Sequence, residues 1–180
     1  MNICFEERFI FILSLTVYAM TCSKSVGTTD SPELITAAYE GGVPHPPGYP
    51  LLTIVLKLWL ALSRMVPYGS FNASYSAAIL NSIFAAIRIV DFKTIFRSLC
   101  SKKMEMDNLG ENPRFSNVLM YKIFCEVTMC SISALVSTSL LSFSNMFWHR
   151  ATMLEVFTLN NCFTTRGYKN GINNLFRWCM

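Results

Sequence analysis

Residues 28–51 read TTDSPELITAAYEGGVPHPPGYPL, a polar, acidic, proline-punctuated stretch set between apolar ones. Ser31 precedes Pro32, and Glu33 follows in the first turn. Ser suits an N-cap, Pro suits N1 because its missing N–H would be unpaired there anyway, and an acid favours the positive helix end. The pattern predicts a helix from about Pro32 to Glu40, stopped by Gly41-Gly42. Four prolines then hold Val43 to Pro50 extended. Asp30, Glu33, Glu40, His45 and Tyr49 all fall in this one stretch. Between hydrophobic segments, such a loop is either an elaborate connector or an active-site loop.

The flanking composition makes those segments membrane helices. The 180 residues are 52% hydrophobic and only 14% charged, with mean hydropathy +0.38. Soluble domains carry about a quarter charged residues. The apolar residues are bunched into long runs, which predicts an all-α, multi-pass membrane protein with the lipid bilayer as its surroundings. The net charge of +4 comes without basic runs interleaved with aromatics, so nucleic acid is not expected as a partner. The seven cysteines form no CxxC pair, and their spacing suggests neither zinc nor a disulfide framework. They read as small hydrophobes.

About three transmembrane helices are expected, at about 9–22, 73–90 and 123–143. The first, FIFILSLTVYAMTC, is short but has a weak n-region for a signal peptide because Glu6 and Glu7 flank it. Tyr18 would anchor its far end. Residues 51–66 carry Lys57 and Arg64 and rise about 24 Å, short of a roughly 30 Å hydrocarbon core. They are read as an interfacial juxtamembrane helix. Pro67 to Ser70 reads as a turn. Residues 91–122 read as a polar loop broken at Gly110 and Pro113. Arg88, Lys93, Arg97, Lys102 and Lys103 crowd near it, which makes it cytoplasmic by the positive-inside rule. Residues 23–72 then form a luminal loop, and Asn72-Ala-Ser74 becomes a usable glycosylation sequon. Residues 144–161 are amphipathic and hold His149, Arg150 and Glu155. Residues 162–180 form a polar, basic, divergent tail.

Asp30 and Glu33 are the candidate catalytic carboxylates. At a helix start both can reach one space, where one serves as base and the other positions it. The same spacing is also that of ordinary helix capping. His45 suits hydrogen bonding to a phosphate or sugar. Tyr39, Tyr49 and Trp148 suit sugar stacking or an interfacial aromatic belt. Glu155 beside lipid calls for a partner, with Arg150 or His149 at hand. No phosphate loop, HExxH or nucleophile elbow occurs, so no metal motif is expected.

DSPELITAAYEGGVPHPPGYPLLTIVLKLW, together with LLSFSNMFWHRATMLEVFTLNN, resembles a family of polytopic membrane O-mannosyltransferases. Its animal members modify IPT domains of plexin-type receptors in the endoplasmic reticulum. The family is similar to GT-C glycosyltransferases, so residues 1–161 would form the N-terminal part of a GT-C-like membrane domain. The resemblance implies multi-pass localisation in the endoplasmic reticulum membrane. It implies dolichyl phosphate mannose as lipid-linked donor and no further cofactor. Luminal protein domains would be the acceptors. It makes Asp30 the base toward a Ser/Thr hydroxyl and has Glu33 orient the acceptor or the base. His45 and Tyr49 would lie near the donor, with Glu155 facing the same cavity.

The chain departs from the family pattern at Pro32, where glycine is common. It also departs in the long 91–122 segment and in the tail, where the family continues into further spans. The expectation is an N-terminal piece of the enzyme, incomplete on its own. Rival readings are a non-catalytic scaffold or remnant, and a small transporter subunit with Glu126 and Glu155 lining its path.

Overall fold

The computed structural model describes residues 3–26, 30–46, 49–65, 72–108 and 116–178, with the backbone alone described at 3–4, 101–127 and 172–178. The expected turn at Pro67 to Ser70, the breakers Gly110 and Pro113, and the Glu126 side chain lie outside the described residues. The described residues form helices joined by short connections, with no strand among them: α1 (Ile3–Thr21), α2 (Ser31–Glu40), α3 (Pro50–Arg64), α4 (Ala73–Asn108), α5 (Ser116–Ser142), α6 (Asn145–Thr152) and α7 (Val156–Trp178).

Helix α4 is the spine. Its first half buries Ala77, Ala78, Ala85 and Ala86, small residues that let other helix backbones come close. Helix α1 runs antiparallel to it, tied by Tyr75 Oη to the Ala19 carbonyl at one end and by Lys93 to Glu6 at the other. Helix α7 runs parallel to α4, with Lys169 Nζ 2.9 Å from Asp91 Oδ1. Helices α2 and α3 pack at the start of α4 through Leu34, Ile35, Ala38, Leu52, Leu56 and Leu60.

Only α4, over Ala73–Cys100, is by itself long and apolar enough to cross a membrane among the described residues. The 91–122 loop is therefore corrected. Helix α4 continues through Asp91 to Asn108 and α5 begins at Ser116. No Gly or Pro interrupts residues 91–108, so nothing local stops the helix. Helix α1 contains Glu6, Glu7 and Arg8 within its nineteen residues, which leaves it short of that apolar requirement. The expected third span, 123–143, falls, all but its last residue, within the unbroken helix α5, Ser116–Ser142. At its end the chain bends, and Thr128–Ser142 meets Asn145–Thr152 at 65°.

Charges that read as membrane flanks have internal partners. Lys93 and Glu6 are both buried and 2.6 Å apart. Burying an unpaired charge is far costlier than burying a bonded pair, so these two residues fix the register of α1 on α4. Tyr18 is no interfacial anchor: it is fully buried and donates to the Ser142 carbonyl at 2.9 Å. In the tail, residues 162–178 continue α7, and Lys169 of that stretch pairs with Asp91 of α4. The cysteine reading is corrected as well. Cys100 and Cys130 form a disulfide that joins α4 to α5. Partners in separate helices leave no spacing signal in sequence.

The break after α6 is held by α4. Asn81, 1% exposed, donates its amide to the Arg150 carbonyl at 2.6 Å and to the Met153 carbonyl. Ser82 Oγ donates to the Ala151 carbonyl at 3.1 Å. These carbonyls belong to a helix end that has no further turn to bond them. Asn81→Leu should lower unfolding stability by about 2 kcal/mol, the cost of stranding buried carbonyls, as measured by denaturant melts in detergent.

Candidate functional site

The acidic loop sits where α2, α3, the start of α4 and the α6–α7 junction meet. Asp30, rather than Ser31, occupies the N-cap position of α2, and its side chain makes no capping bond. Its carbonyl accepts the Leu34 N–H at 3.0 Å. The exposed Asp30 carboxylate has no hydrogen-bond partner among the described residues. Ser31 is the first helical residue and is buried. Its hydroxyl donates to the Leu154 carbonyl at 2.6 Å. This role is not legible in sequence, because a Ser before Pro reads first as a cap. The bond fastens the first acidic motif to the second, with Asp30 and Glu155 each one residue from it.

The helix ends where glycine demands it. Gly41 has φ +83° and its N–H bonds the Ala37 carbonyl, a left-handed stop that favours residues without a Cβ. The chain then turns back over α2. The His45 backbone N–H donates to Glu33 Oε1 at 2.6 Å, and His45 Nδ1 lies 2.9 Å from Oε2. Glu33 thus holds the loop with both oxygens. The His45 N–H, and then its ring, keep the Glu33 carboxyl below its ordinary range. With Nδ1 engaged by the carboxylate, Nε2 of His45 is left for a ligand.

The His45 ring meets Tyr49 edge to face at 5.6 Å. Tyr49 is the non-glycine residue with positive φ, 37°, among the described residues. It accepts from Thr53 N–H and Thr53 Oγ1, each at 3.0 Å. A bulky residue in this conformation is strained. Beside the loop lies a cleft of about 230 Å³ lined by Gly41, Gly42, Val43, Pro50, Ile54 and Lys57. Lys57 brings a cation to this cleft.

The structure therefore brings Glu33, His45 and Tyr49 into contact and leaves Asp30 free. Glu155 stands apart from that trio. Its carboxylate is 3.6 Å from Arg150 Nε, so of the two expected partners Arg150 is the one met. Tyr39 lies under the Arg64 guanidinium at 4.1 Å. Trp148 packs against Tyr18 and Phe143, away from the acidic loop. Asn72 Oδ1 accepts the Tyr75 N–H at 2.6 Å and Nδ2 donates to the Lys24 carbonyl at 2.8 Å, so the sequon asparagine opens α4.

Fold and site together define a helical unit in which α4, among the described residues, is fit to cross a membrane and an acidic and aromatic loop lies at its start. The chain belongs to the protein O-mannosyl-transferase TMEM260 family, whose N-terminal domain model matches residues 30–166. It is 30% identical over 154 residues to the mouse protein O-mannosyl-transferase TMEM260, covering 86% of this chain and 17% of the relative. It is 27% identical over 155 residues to the Dictyostelium discoideum protein of the same name, covering 86% and 15%. The chain thus spans about a sixth of the length of these relatives. No solved structure matches. The matched segment ends inside α7, so part of the supposedly divergent tail belongs to it.

The Glu33–His45 clasp has a definite pH dependence. A carboxyl with a lowered folded pKa stabilises above its unfolded pKa, and that contribution is lost as pH falls through the folded value. Amide exchange protection at His45 should therefore be full at pH 7 and drop below the ordinary carboxylate range. Glu33→Gln should remove that pH dependence.

Proposed function

We propose that the α2 start and its loop form part of a site that moves mannose from a lipid-phosphate donor to Ser or Thr hydroxyls of luminal protein domains. The observation that carries this reading is the Ser31–Leu154 bond. It holds the two motifs together while the Asp30 carboxylate stays unengaged, as a general base must be. A carboxylate spent on capping would not be free to take a proton.

In this reading Asp30 removes the hydroxyl proton as the oxygen attacks the anomeric carbon. The carbon–oxygen bond to the lipid phosphate breaks, and the phosphate leaves with the electron pair. One displacement inverts the anomeric carbon. Glu33 is a positioning residue: it fixes the His45 ring so that Nε2 can hydrogen-bond the donor phosphate. Tyr49 holds the other side of that ring and supplies a face for the sugar. Lys57, in the adjoining cleft, would add charge to the phosphate side. Glu155, steadied by Arg150, faces the acceptor side. Dolichyl phosphate mannose fits this scheme as donor, with the endoplasmic reticulum membrane as location. GT-C-like architecture follows if further helices close the cavity.

Asp30→Asn in a full-length family member should reduce mannose transfer by about a hundredfold or more, the usual worth of a general base. Expression and detergent melting should be unchanged. Unaltered transfer would return Asp30 to a purely structural place and favour a non-catalytic scaffold. The topology has its own test. Asn72 should carry an endoglycosidase-sensitive glycan in cells, abolished by Asn72→Gln. Its amide keeps Oδ1 for the Tyr75 N–H after glycosylation, so helix α4 keeps its cap.

A further inference from the structure

A second cleft, of about 580 Å³, opens between α1, α4 and α7, away from the acidic loop. Phe11, Ile12, Ile87 and Val90 form its apolar wall, and Glu7, Arg8, Asp91, Arg166 and Lys169 form its charged end. That volume is in the range of sites for small amphiphiles. Asp91 lies eighteen residues past Ala73 on α4, about 27 Å along the axis. That is nearly the roughly 30 Å hydrocarbon thickness. The charged end thus sits at headgroup depth in the leaflet opposite the acidic loop.

The charges there are incompletely matched. Asp91 is 3% exposed. Its Oδ1 takes Lys169, while Oδ2 is buried with no hydrogen-bond donor. A stranded carboxylate oxygen in a low-dielectric site calls for a donor. Arg8 and Arg166, both exposed, make no ion pair among the described residues. One headgroup satisfies both demands: an ammonium that donates hydrogen bonds, with a phosphate a few atoms away.

We propose that this cleft binds an aminophospholipid of the phosphatidylethanolamine type. Its ammonium donates to Asp91 Oδ2, its phosphate lies between Arg8 and Arg166, and an acyl chain follows Phe11, Ile12, Ile87 and Val90. Mixed charge at the cleft end matches a zwitterion better than a purely anionic lipid. Choline lipids carry a quaternary nitrogen with no N–H, so they meet the phosphate demand and fail the Asp91 one.

The test is to titrate the 180-residue chain in mild detergent with phosphatidylethanolamine, its N-methyl and N,N-dimethyl forms, phosphatidylcholine and phosphatidylglycerol. Native mass spectrometry reads the binding. Phosphatidylethanolamine should bind about tenfold more tightly than phosphatidylcholine, the worth of one charge-assisted hydrogen bond, with the methylated forms graded between. Arg166→Gln should weaken it about fivefold, and Arg166→Lys should restore most of that loss. Arg166 is exposed and unpaired, so neither variant threatens folding. Equal binding of phosphatidylethanolamine and phosphatidylcholine, tighter binding of phosphatidylglycerol, or no retained lipid would each overturn the proposal.

Discussion

The fold depends on how one broken helix end is satisfied. Helix α6 stops at Thr152, and its last carbonyls turn away from any continuing helix. In a chain with this much apolar surface, water is a poor partner for them. Asn81 and Ser82 of α4 supply the donors instead. That pins the junction before α7, which puts the Leu154 carbonyl within reach of Ser31. Ser31 in turn sets where α2 begins, and so where Asp30 stands. The position of the acidic loop is thus decided some distance away, by an amide on the spine helix.

Much of the acidic loop was legible because its signals are local. Pro32 and Glu33 mark a helix start wherever they occur, and Gly41 marks a stop that other residues adopt only under strain. The approximate bounds of α2 and α3 follow from such signals. The family, too, was legible from two motifs, and the matched residues 30–166 contain both. What the stretch itself could not reveal was the fold-back that places His45 over Glu33. That depends on the angle at which α3 returns to α2.

The residues misread were those whose role is set by a distant partner. Lys93 counts as a cytoplasmic charge until Glu6 is found beside it, buried. Asn81 is one polar residue in an apolar run until the α6 end arrives. Asp91 looks like the first residue of a polar loop, yet it sits inside a continuous helix and holds Lys169 of α7. Charge and hydropathy patterns report average surroundings. They are blind to a pair closed across two helices, and that pairing lets α4 run beyond its apolar section.

The two ends of α4 make opposite demands on the cell. A helix that crosses a bilayer leaves its ends in different compartments. The sequon at Asn72 needs the oxidising lumen, where the glycan is added. With α4 crossing in the proposed sense, Cys100, twenty-eight residues further on, would lie on the other side, where thiols are ordinarily kept reduced. If Asn72 is luminal, the link between α4 and α5 belongs to the cytosolic face, and its closure follows the thiol balance there rather than the folding machinery of the lumen. One helix would then carry, at its two tips, readouts of two compartments.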